Sequence, residues 1–389
     1  MKQQIVVCGA GIVGLASALA LARRGQRVAV LAPRNEVAPA QGDAYHPRVY
    51  AISPASRRFL GELGVWDSLP SGRIAPVQAM DIYGDGDGRV TLNAWQAAQD
   101  CLAWIVEAGE IERVLIQAVR VFGISWLDDR CVGWRDGRIE TAAGEHLQAE
   151  LFVGADGANS PLRRAAGLRH QARPYGDTGL VVHLDAELPH QGTAFQWFRD
   201  DGVLALLPLP DTADGAQVSM VWSIRGERAE SLLAMPREQQ AAELERLLAE
   251  ASQGRLGRLR MRGALHGFPL TLEQAQMTGP GIALAGDAAH RVHPLAGQGL
   301  NLGLGDVEAL AQAVGGREAF RSAGDPRVLQ RYQRVRAEPV LAMRVATDGL
   351  HRLFGARNAP LAWLRNAGMQ AVDALPFIKR QLIEGASRN

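Results

Sequence analysis

Three glycines near the start of the sequence, Gly9, Gly11 and Gly14, have the spacing of a loop that binds a dinucleotide. In such a loop the first glycine makes a tight turn, the second lets the backbone approach a pyrophosphate, and the third lets a helix pack closely on a strand. The pyrophosphate then accepts hydrogen bonds from unpaired N–H groups at the positive end of that helix. The sequence therefore predicts an adenine dinucleotide site at this loop.

The glycine loop stands between a predicted strand and a predicted helix. Residues 3–8 form an apolar run typical of a buried parallel strand, and residues 15–24 form an Ala- and Leu-rich helix that ends before Gly25. A second strand is predicted at residues 27–32. The start of the chain thus reads as a βαβ unit, for which a tight strand–helix turn without a ligand is the alternative interpretation.

One polar residue expected of such a unit is missing. An acidic residue about twenty positions after the glycines usually accepts a hydrogen bond from the adenosine ribose. Ala32 and Pro33 occupy that place here, and Glu36 in the following loop is the candidate substitute. The sequence therefore lacks one expected polar contact to the nucleotide.

Two later segments each combine an apolar strand with glycine and aspartate at its end. One strand leads into Asp156 and Gly157, and the other leads into Gly286 and Asp287. Ligands of open α/β sheets gather at the carboxyl ends of the strands, where a carboxylate can accept hydrogen bonds from sugar-like hydroxyl groups. Asp287 has a helix N-cap as its alternative role, and the two roles are not exclusive.

Together these three segments resemble the single-component FAD-dependent aromatic hydroxylases, the class of para-hydroxybenzoate hydroxylase. The stretch at residues 293–306 resembles more narrowly the ubiquinone-biosynthesis hydroxylases, which add hydroxyl groups to polyprenylated phenols. The resemblance covers essentially the whole chain, because it also includes residues 48–53, 63–66, 204–208, 268–270 and 353–365.

The resemblance implies FAD contacts along the chain. Asp287 takes the position of the family residue that binds the ribitol chain, and Asp156 and Gly157 match positions linked to both FAD and the nicotinamide nucleotide. Arg48 matches an arginine near the flavin, and the loop at residues 294–299 lies beside the flavin ring. The candidate cofactor-binding residues are Gly9, Gly11, Ile12, Val13, Gly14, Arg48, Asp156, Gly157, Gly286, Asp287, Pro294, Gly297, Gln298, Gly299, Leu300 and Asn301.

The helix that begins near Leu300 is expected to point its N-terminus at the flavin ring. Reduced flavin carries negative charge along its pyrimidine edge, so backbone donors and a helix dipole aimed there stabilise it. No residue is assigned as a catalytic acid or base.

Residues 106–112 depart from the family pattern. The family commonly has an Asn-Arg pair where this chain has Ala108 and Gly109, and it has Gln near the place of Glu112. Together with Ala32, this departure removes two expected polar contacts to FAD. It also motivates an alternative, a flavin-poor scaffold protein that binds partner enzymes of quinone synthesis.

Four other polar residues allow a ligand role and a structural one. Arg163 and Arg164 could meet phosphate charge or cover a helix surface. His290 and His293 form an HxxH pair, but no carboxylate or cysteine partner has ligand-like spacing, so no metal site is predicted.

The composition limits the partners and the compartment. The chain has 389 residues, of which 47% are hydrophobic, and its net charge of +1 does not favour nucleic acid. Its three cysteines, Cys8, Cys101 and Cys131, lack the spacing of a zinc site or a disulfide framework. The apolar run from Ile5 leads into a glycine-rich turn rather than a cleavage site, and no apolar stretch is long enough to cross a bilayer. The predicted location is cytoplasmic, or peripheral to the inner face of a membrane.

The cofactor segments are far apart in sequence, so they must be assembled from separate stretches. We predict an α/β fold with a discontinuous Rossmann-type FAD-binding domain, an inserted β-sheet substrate domain and a helical C-terminal region. The FAD-binding domain comprises residues 1–70, 99–175 and 270–345. The substrate domain comprises residues 71–98 and 176–269, and the C-terminal region comprises residues 346–389. Substrate-domain strands are predicted at residues 179–186, 194–198, 203–209 and 217–224, and helices at residues 237–252 and 337–384, the last interrupted at Pro360 and Pro376.

The functional hypothesis is monooxygenation of an aromatic, prenylated substrate with FAD, NADH or NADPH, and dioxygen. A flavoprotein hydroxylase or epoxidase of another substrate is the near alternative. A prenylated substrate implies access from a membrane surface, and the tail mixes apolar and basic residues in a way that suits interfacial docking, contact with a quinone-synthesis complex, or ordinary core packing. Those tail residues are Leu350, Arg352, Leu353, Phe354, Arg357, Leu361, Trp363, Leu364 and Arg365.

Overall fold

A computed structural model of the chain describes residues 4–40, 42–199, 201–292, 298–355, 369–370 and 372–387. The side chains of the tail residues named above lie outside this described part, as do Pro294 and Gly297. The strands, numbered in chain order, are β1 (Ile5–Cys8), β2 (Val28–Leu31), β3 (Val49–Ile52), β4 (Ile74–Val77), β5 (Ala79–Tyr83), β6 (Arg89–Asn93), β7 (Ala103–Glu107), β8 (Ser125–Leu127), β9 (Cys131–Arg135), β10 (Arg138–Thr141), β11 (His146–Gln148), β12 (Leu151–Gly154), β13 (His170–Ala186), β14 (Thr193–Arg199), β15 (Gly202–Thr212), β16 (Gly215–Arg225), β17 (Leu259–Ala275), β18 (Thr278–Gly279), β19 (Ile282–Leu284) and β20 (His290–Arg291). The α-helices are α1 (Ile12–Arg23), α2 (Pro54–Glu62), α3 (Ala108–Val121), α4 (Pro161–Ala165), α5 (Gly226–Leu233), α6 (Arg237–Ser252), α7 (Gly299–Gly315), α8 (Pro326–Gly355) and α9 (Pro376–Ser387).

The predicted βαβ unit at the start of the chain is confirmed. It belongs to a six-stranded sheet with the order β18-β19-β12-β1-β2-β8, in which all neighbours except β18 and β19 run parallel. The central strands are buried on both faces, as their unbroken apolar runs require. Helix α1 begins at Ile12 rather than at residue 15, because the Gly11 carbonyl already accepts a hydrogen bond from the Leu15 N–H at 2.9 Å.

A second sheet of eight strands has the order β20-β17-β13-β16-β15-β14-β5-β6. The four strands predicted between residues 179 and 224 lie within β13 to β16, and the helix predicted at residues 237–252 is α6. One face of this sheet packs under α5 and α6 in a core of its own. Strand β13 begins nine residues earlier than predicted, at His170, because its polar and exposed first half pairs with β17.

The other face of the eight-stranded sheet meets a small antiparallel sheet with the order β3-β7-β4. This contact joins the part of the chain that carries the glycine loop to the part that carries the large sheet. It places β3, which follows directly after Arg48, between the two.

Helix α8 corrects the predicted start of the helical tail from residue 337 to Pro326. Proline suits the first turn of a helix, and Asp325 accepts a hydrogen bond from the Arg327 N–H at 2.8 Å. The first turns are rich in arginine, yet Val328, Leu329 and Tyr332 are buried in the main core. Within the described residues, no helix combines the length and the apolar character that a bilayer-spanning segment needs.

Candidate functional site

The three glycines of the first loop have different surroundings. A Cβ atom on Gly9, whose φ is +110°, would lie 2.3 Å from the Ala155 carbonyl oxygen, and one on Gly14 would lie 2.2 Å from the Gly9 carbonyl oxygen. A Cβ atom on Gly11 would meet nothing within 4 Å. Gly9 and Gly14 are therefore required by the protein's own packing, whereas the backbone at Gly11 is open to a ligand.

The open side of Gly11 faces a cavity of about 470 Å³ at the carboxyl ends of β1, β2 and β12. This is the edge where nucleotides bind in open α/β sheets, and the volume is in the range of ligand pockets. The cavity is lined by Cys8, Gly9, Ala10, Gly11, Leu31, Ala32, Pro33, Asn35, Val37, Glu112, Ile116, Trp126, Arg130, Cys131, Ala155, Asp156, Gly157 and Pro161.

The end of β2, where the sequence lacks the usual acid, forms an apolar wall of the cavity. Ala32 is buried, and its carbonyl oxygen accepts a hydrogen bond from the Trp126 indole N–H at 2.9 Å. The polar residues nearby that line the cavity are Asn35 and Arg130, whereas Glu36 is exposed and is not a lining residue. Asn35 and Arg130 therefore replace Glu36 as the candidates for a ribose contact.

Asp156 lines this cavity, but one of its carboxyl oxygens is shielded from solvent. Its Oδ2 accepts a hydrogen bond from the Leu162 N–H at 3.1 Å, while its buried Oδ1 has no hydrogen-bond partner among the described residues. Burial raises the pKa of Asp156, and hydrogen bonds from Ser160 and Leu162 oppose that rise. Asp156 is therefore a cavity-lining residue whose Oδ1 is closed to solvent.

The two arginines that follow Asp156 differ in role. Arg163 is buried, and its guanidinium donates hydrogen bonds to the carbonyl oxygens of Ala288 at 2.8 Å and Ala158 at 2.5 Å. It therefore ties the Asp-Gly segment to the Gly-Asp segment, which is a structural role. Arg164 is exposed, and both of its interpretations stay open.

The Gly-Asp segment packs directly against the start of α1. Gly286 has a φ of +60°, and a Cβ atom there would lie 3.1 Å from the side chain of Val13. A Cβ atom on Gly303 of α7 would lie 2.8 Å from the same side chain. Val13 and its buried neighbour Ile12 thus have packing roles, while the side chain of Asp287 is exposed.

Tyr50 lies near three residues of the candidate site that come from distant segments of the chain. The Arg48 guanidinium carbon lies 4.8 Å from the centre of the Tyr50 ring. Burial raises the pKa of Tyr50 to about 12, with Arg48 lowering it and Asp287 and Glu112 raising it. The structure therefore brings Arg48, Asp287 and Glu112 together from three distant segments.

The N-terminus of α7 is joined to β3 by one side chain. The amide of Asn301 accepts a hydrogen bond from the Ser53 N–H at 3.0 Å and donates one to the Ala51 carbonyl oxygen at 2.8 Å. The Asn301 side chain is thus occupied by the protein, and Leu300 is buried. Helix α7 begins at Gly299, and the backbone N–H groups of its first turn have no partner within the helix. These groups can donate hydrogen bonds to a ligand.

Asp306 holds this region together and was not predicted from the sequence. The fully buried carboxylate accepts hydrogen bonds from the Gly286 N–H at 2.9 Å, from His290 Nε2 at 2.7 Å and from Arg336 Nε at 2.7 Å. His290 thus belongs to a buried ion-pair network, whereas His293 lies outside the described residues. The sequence signal that could have identified Asp306 was its position at the end of residues 293–306, the stretch that resembles a known family.

The departure from the family at Gly109 has a steric explanation. A Cβ atom on Gly109 would lie 2.5 Å from the ring of His46, so that ring fills the space of a side chain at position 109. The backbone N–H of His46 donates a hydrogen bond to the Glu107 carboxylate at 2.6 Å, which holds His46 in this place. Its Nε2 also lies 3.6 Å from Oε1 of Glu110. His46 and Gly109 therefore form one arrangement that excludes the arginine of the family pattern.

Glu112 is expected to weaken the binding of an anionic dinucleotide at neutral pH. Its carboxyl group lines the same cavity as Gly11, and burial raises its pKa against the opposing effects of Arg48 and His46. A carboxylate near a pyrophosphate costs roughly 1 kcal/mol. We expect Glu112→Gln to bind FAD about fivefold more tightly, as measured by quenching of FAD fluorescence on titration with apoprotein.

The pH dependence tests the cause of that effect. The wild type should bind FAD more tightly as the pH falls through the raised pKa of Glu112, because the neutral carboxyl group no longer repels phosphate. Glu112→Gln should lack this rise, and Glu62→Gln, an exposed change on α2, should behave like the wild type. Equal pH profiles for all three proteins would show that Glu112 does not face the pyrophosphate.

Comparison with known proteins agrees with this geometry. Residues 2–346 match the family described as FAD binding domain. The ubiquinone hydroxylase UbiL of Rhodospirillum rubrum is 34% identical over 392 residues, which cover 98% of this chain and 89% of that protein. The 3-demethoxyubiquinol 3-hydroxylase of Escherichia coli is 34% identical over 396 residues, which cover 98% of this chain and 98% of that protein.

Solved structures share the fold at lower identity. PqsL of Pseudomonas aeruginosa, in complex with 2-aminobenzoylacetate, has a TM-score of 0.75 and 23% identity, with 95% of this chain and 100% of that chain covered. The p-nitrophenol 4-monooxygenase PnpA of Pseudomonas putida has a TM-score of 0.74 and 20% identity, with 99% and 98% covered. These likenesses confirm the predicted α/β fold class.

Proposed function

The chain belongs to the FAD binding domain family that includes the ubiquinone-biosynthesis hydroxylases, and from this membership we propose that it hydroxylates a polyprenylated phenol in ubiquinone synthesis. The protein is an FAD-dependent aromatic monooxygenase, and FAD is its cofactor. NADH or NADPH and dioxygen are the proposed co-substrates. A peripheral contact with a membrane or with a quinone-synthesis complex belongs to the same proposal.

The observation that supports this proposal most directly is the cavity at Gly11. It combines an open glycine backbone with the N-terminus of α1, and both suit a pyrophosphate. The flavin half of FAD would lie toward Arg48, Asp287 and the N-terminus of α7. When bound, FAD supplies the electron transfer and oxygen chemistry that side chains cannot provide.

The protein's own part is to bind, to orient and to exclude water. The Gly9 and Gly14 backbone fixes the loop, while Asn301 fixes the start of α7 against β3. Fixed supports of this kind are what the orientation of a cofactor against a substrate requires.

The test is coupled turnover by the FAD-loaded protein. Purified protein should bind close to one FAD per chain, and a prenylated phenol should yield hydroxylated product in step with NADH or NADPH oxidation. Simple phenols should stimulate NAD(P)H oxidation with much less product. Efficient coupling with a free aromatic acid would favour a hydroxylase of another substrate, and failure to bind FAD would favour the scaffold alternative.

A further inference from the structure

Two buried polar side chains with unused hydrogen-bonding atoms lie opposite each other on one face of the eight-stranded sheet. His183 on β13 is 7% exposed and Ser219 on β16 is fully buried, and the two residues are directly opposite each other in the sheet. Nδ1 of His183 and Oγ of Ser219 have no hydrogen-bond partner among the described residues. Because each buried polar atom without a partner costs about 1–3 kcal/mol, such a pair indicates a ligand that supplies the missing partners.

The contacts of His183 determine which kind of hydrogen bond its free nitrogen can make. Nε2 lies 2.8 Å from the His46 carbonyl oxygen, which can only accept, so the proton of a neutral ring is on Nε2. Nδ1 then carries a lone pair. Burial lowers the pKa of His183, with His266 and Arg262 acting in the same direction and the hydrogen bond to His46 opposing them. The ring is thus held neutral as a hydrogen-bond acceptor.

An apolar surface lies beside this polar pair on the same face. Val181, Val221 and Ala205 form the adjacent row across three strands, and Leu207 lies directly opposite Ser219. These four side chains are partly exposed, although their neighbours on the other face are fully buried. A flat apolar ring with one hydroxyl group matches such a surface, because the ring covers the aliphatic side chains while the hydroxyl reaches the polar pair.

This face looks toward the candidate flavin site. The Tyr45 ring packs edge-on at 5.7 Å from the His183 ring, and Leu207 and Tyr45 pack in one cluster with residues of β3. His46 and Ala51 are five residues apart, so their backbones are separated by at most about 18 Å. Ala51 is bonded to Asn301 at the start of α7. A substrate at His183 therefore lies within the reach of the site formed around β3.

We propose that His183 and Ser219 bind the hydroxyl group of the aromatic substrate, and that neutral His183 takes the proton of that hydroxyl while the ring is being hydroxylated, when the hydroxyl is most acidic. This inference rests on the proposed function and adds the residues that recognise the phenol. The phenol O–H bond breaks, a bond forms between that proton and Nδ1, and the electron pair stays on the phenolate oxygen. The ring becomes more electron-rich at its ortho and para carbons, and the Ser219 hydroxyl donates a hydrogen bond to the phenolate. No oxidant or reductant takes part in this step.

His190 provides a matched control in the same part of the chain. Its Nε2 also bonds to a backbone carbonyl oxygen, that of Leu209 at 2.9 Å, but its Nδ1 accepts a hydrogen bond from the Gly192 N–H at 3.1 Å. Both nitrogens of His190 are thus used by the protein, whereas His183 keeps one free. Glutamine can preserve a donor near the place of Nε2 but has no basic nitrogen.

The experiment compares His183→Gln, Ser219→Ala and His190→Gln with the wild type, each loaded with FAD. The 19F NMR shift of a bound fluorophenol reports the hydrogen bonds of the phenol hydroxyl, without any need for turnover. We expect the same bound shift in the wild type and His190→Gln, and a different bound shift in His183→Gln. Ser219→Ala should weaken fluorophenol binding about five- to tenfold, the effect of one lost hydrogen bond. Thermal unfolding and FAD binding of each variant show whether the fold is intact.

Turnover provides the second measurement. Product formation should fall about a hundredfold in His183→Gln, and the low-pH limb of its pH profile should disappear. A His183→Gln protein that binds fluorophenol with the wild-type 19F shift would overturn the inference. If the FAD-loaded wild type makes no product from any phenol, the proposed function fails, and the fluorophenol shift still decides whether His183 and Ser219 bind a phenol.

Discussion

Gly11→Ala is expected to leave the protein folded and to weaken FAD binding about 10- to 100-fold. Gly11 has an extended backbone, with φ of −75° and ψ of 178°, which alanine adopts without strain. The added methyl group meets no protein atom within 4 Å and projects into the cavity where the pyrophosphate is proposed to lie. Forcing one extra methyl group into a filled site costs roughly 1–3 kcal/mol, which corresponds to this loss of affinity.

Titration of apoprotein with FAD and thermal unfolding without FAD separate affinity from stability. Gly9→Ala is the matched control, because its Cβ atom would lie 2.3 Å from the Ala155 carbonyl oxygen and its φ is +110°. We expect Gly9→Ala to lose stability even without FAD, whereas Gly11→Ala unfolds at the wild-type temperature. Wild-type FAD affinity in a folded Gly11→Ala protein would place the pyrophosphate elsewhere.

These two variants also show what the motif could and could not reveal. The spacing of the glycines predicted a strand, a turn and a helix, and all three are present. The spacing alone does not say which glycine faces a ligand, because that depends on Ala155, which arrives from β12 about 140 residues later. A local sequence pattern predicts local structure. Which side of a loop is open to a ligand depends on residues that are distant in sequence and close in space.

The large sheet was predictable in its centre and not at its ends. Alternating or unbroken apolar residues identified the middle of β13 to β16, where one face is buried under α5 and α6. The first half of β13 is polar and exposed, so no burial pattern marks it, and only its pairing with β17 makes it a strand. The proposed division of the chain into domains and the assignment of FAD contacts stay predictions.

The polar networks were the least predictable part of the structure. Asn301 was predicted as an FAD contact, yet its amide is occupied by Ala51 and Ser53, which precede it by about 250 residues. Asp306 was not assigned any role, although it joins three segments. Such partners are separated widely in sequence, and a single sequence contains no signal of their contact.

Asp306→Asn is expected to lower the free energy of unfolding by about 3–5 kcal/mol. The carboxylate is fully buried between His290 and Arg336, and the variant leaves the buried Arg336 guanidinium without an opposite charge. Breaking a buried ion pair on one side costs this much, because the remaining charge stays desolvated. Since the Gly286 N–H also bonds to Asp306, FAD binding near Asp287 should weaken as well.

The measurement is chemical denaturation of the apoprotein, and the control variant is Asp201→Ala. Asp201 also pairs with two arginines, Arg199 and Arg228, but at the surface, where the expected loss is below about 1 kcal/mol. Asp306→Asn combined with Arg336→Met should recover part of the stability, because the double variant removes both charges. If Asp306→Asn were no more destabilising than Asp201→Ala, the network would not hold α7 against the Gly-Asp segment.

The pH dependence of that loss follows from the sign of the pKa shift. Burial alone would raise the pKa of Asp306, but the ion pairs with His290 and Arg336 and the Gly286 N–H outweigh burial and lower it. A carboxyl group with a lowered pKa stabilises the folded state above its unfolded pKa of about 4, and this contribution disappears as the pH falls through the folded value. The wild type and Asp306→Asn should therefore differ fully at neutral pH and converge in acid. A difference that stayed constant into strong acid would mean that the lost stability came from packing around position 306 and not from its charge.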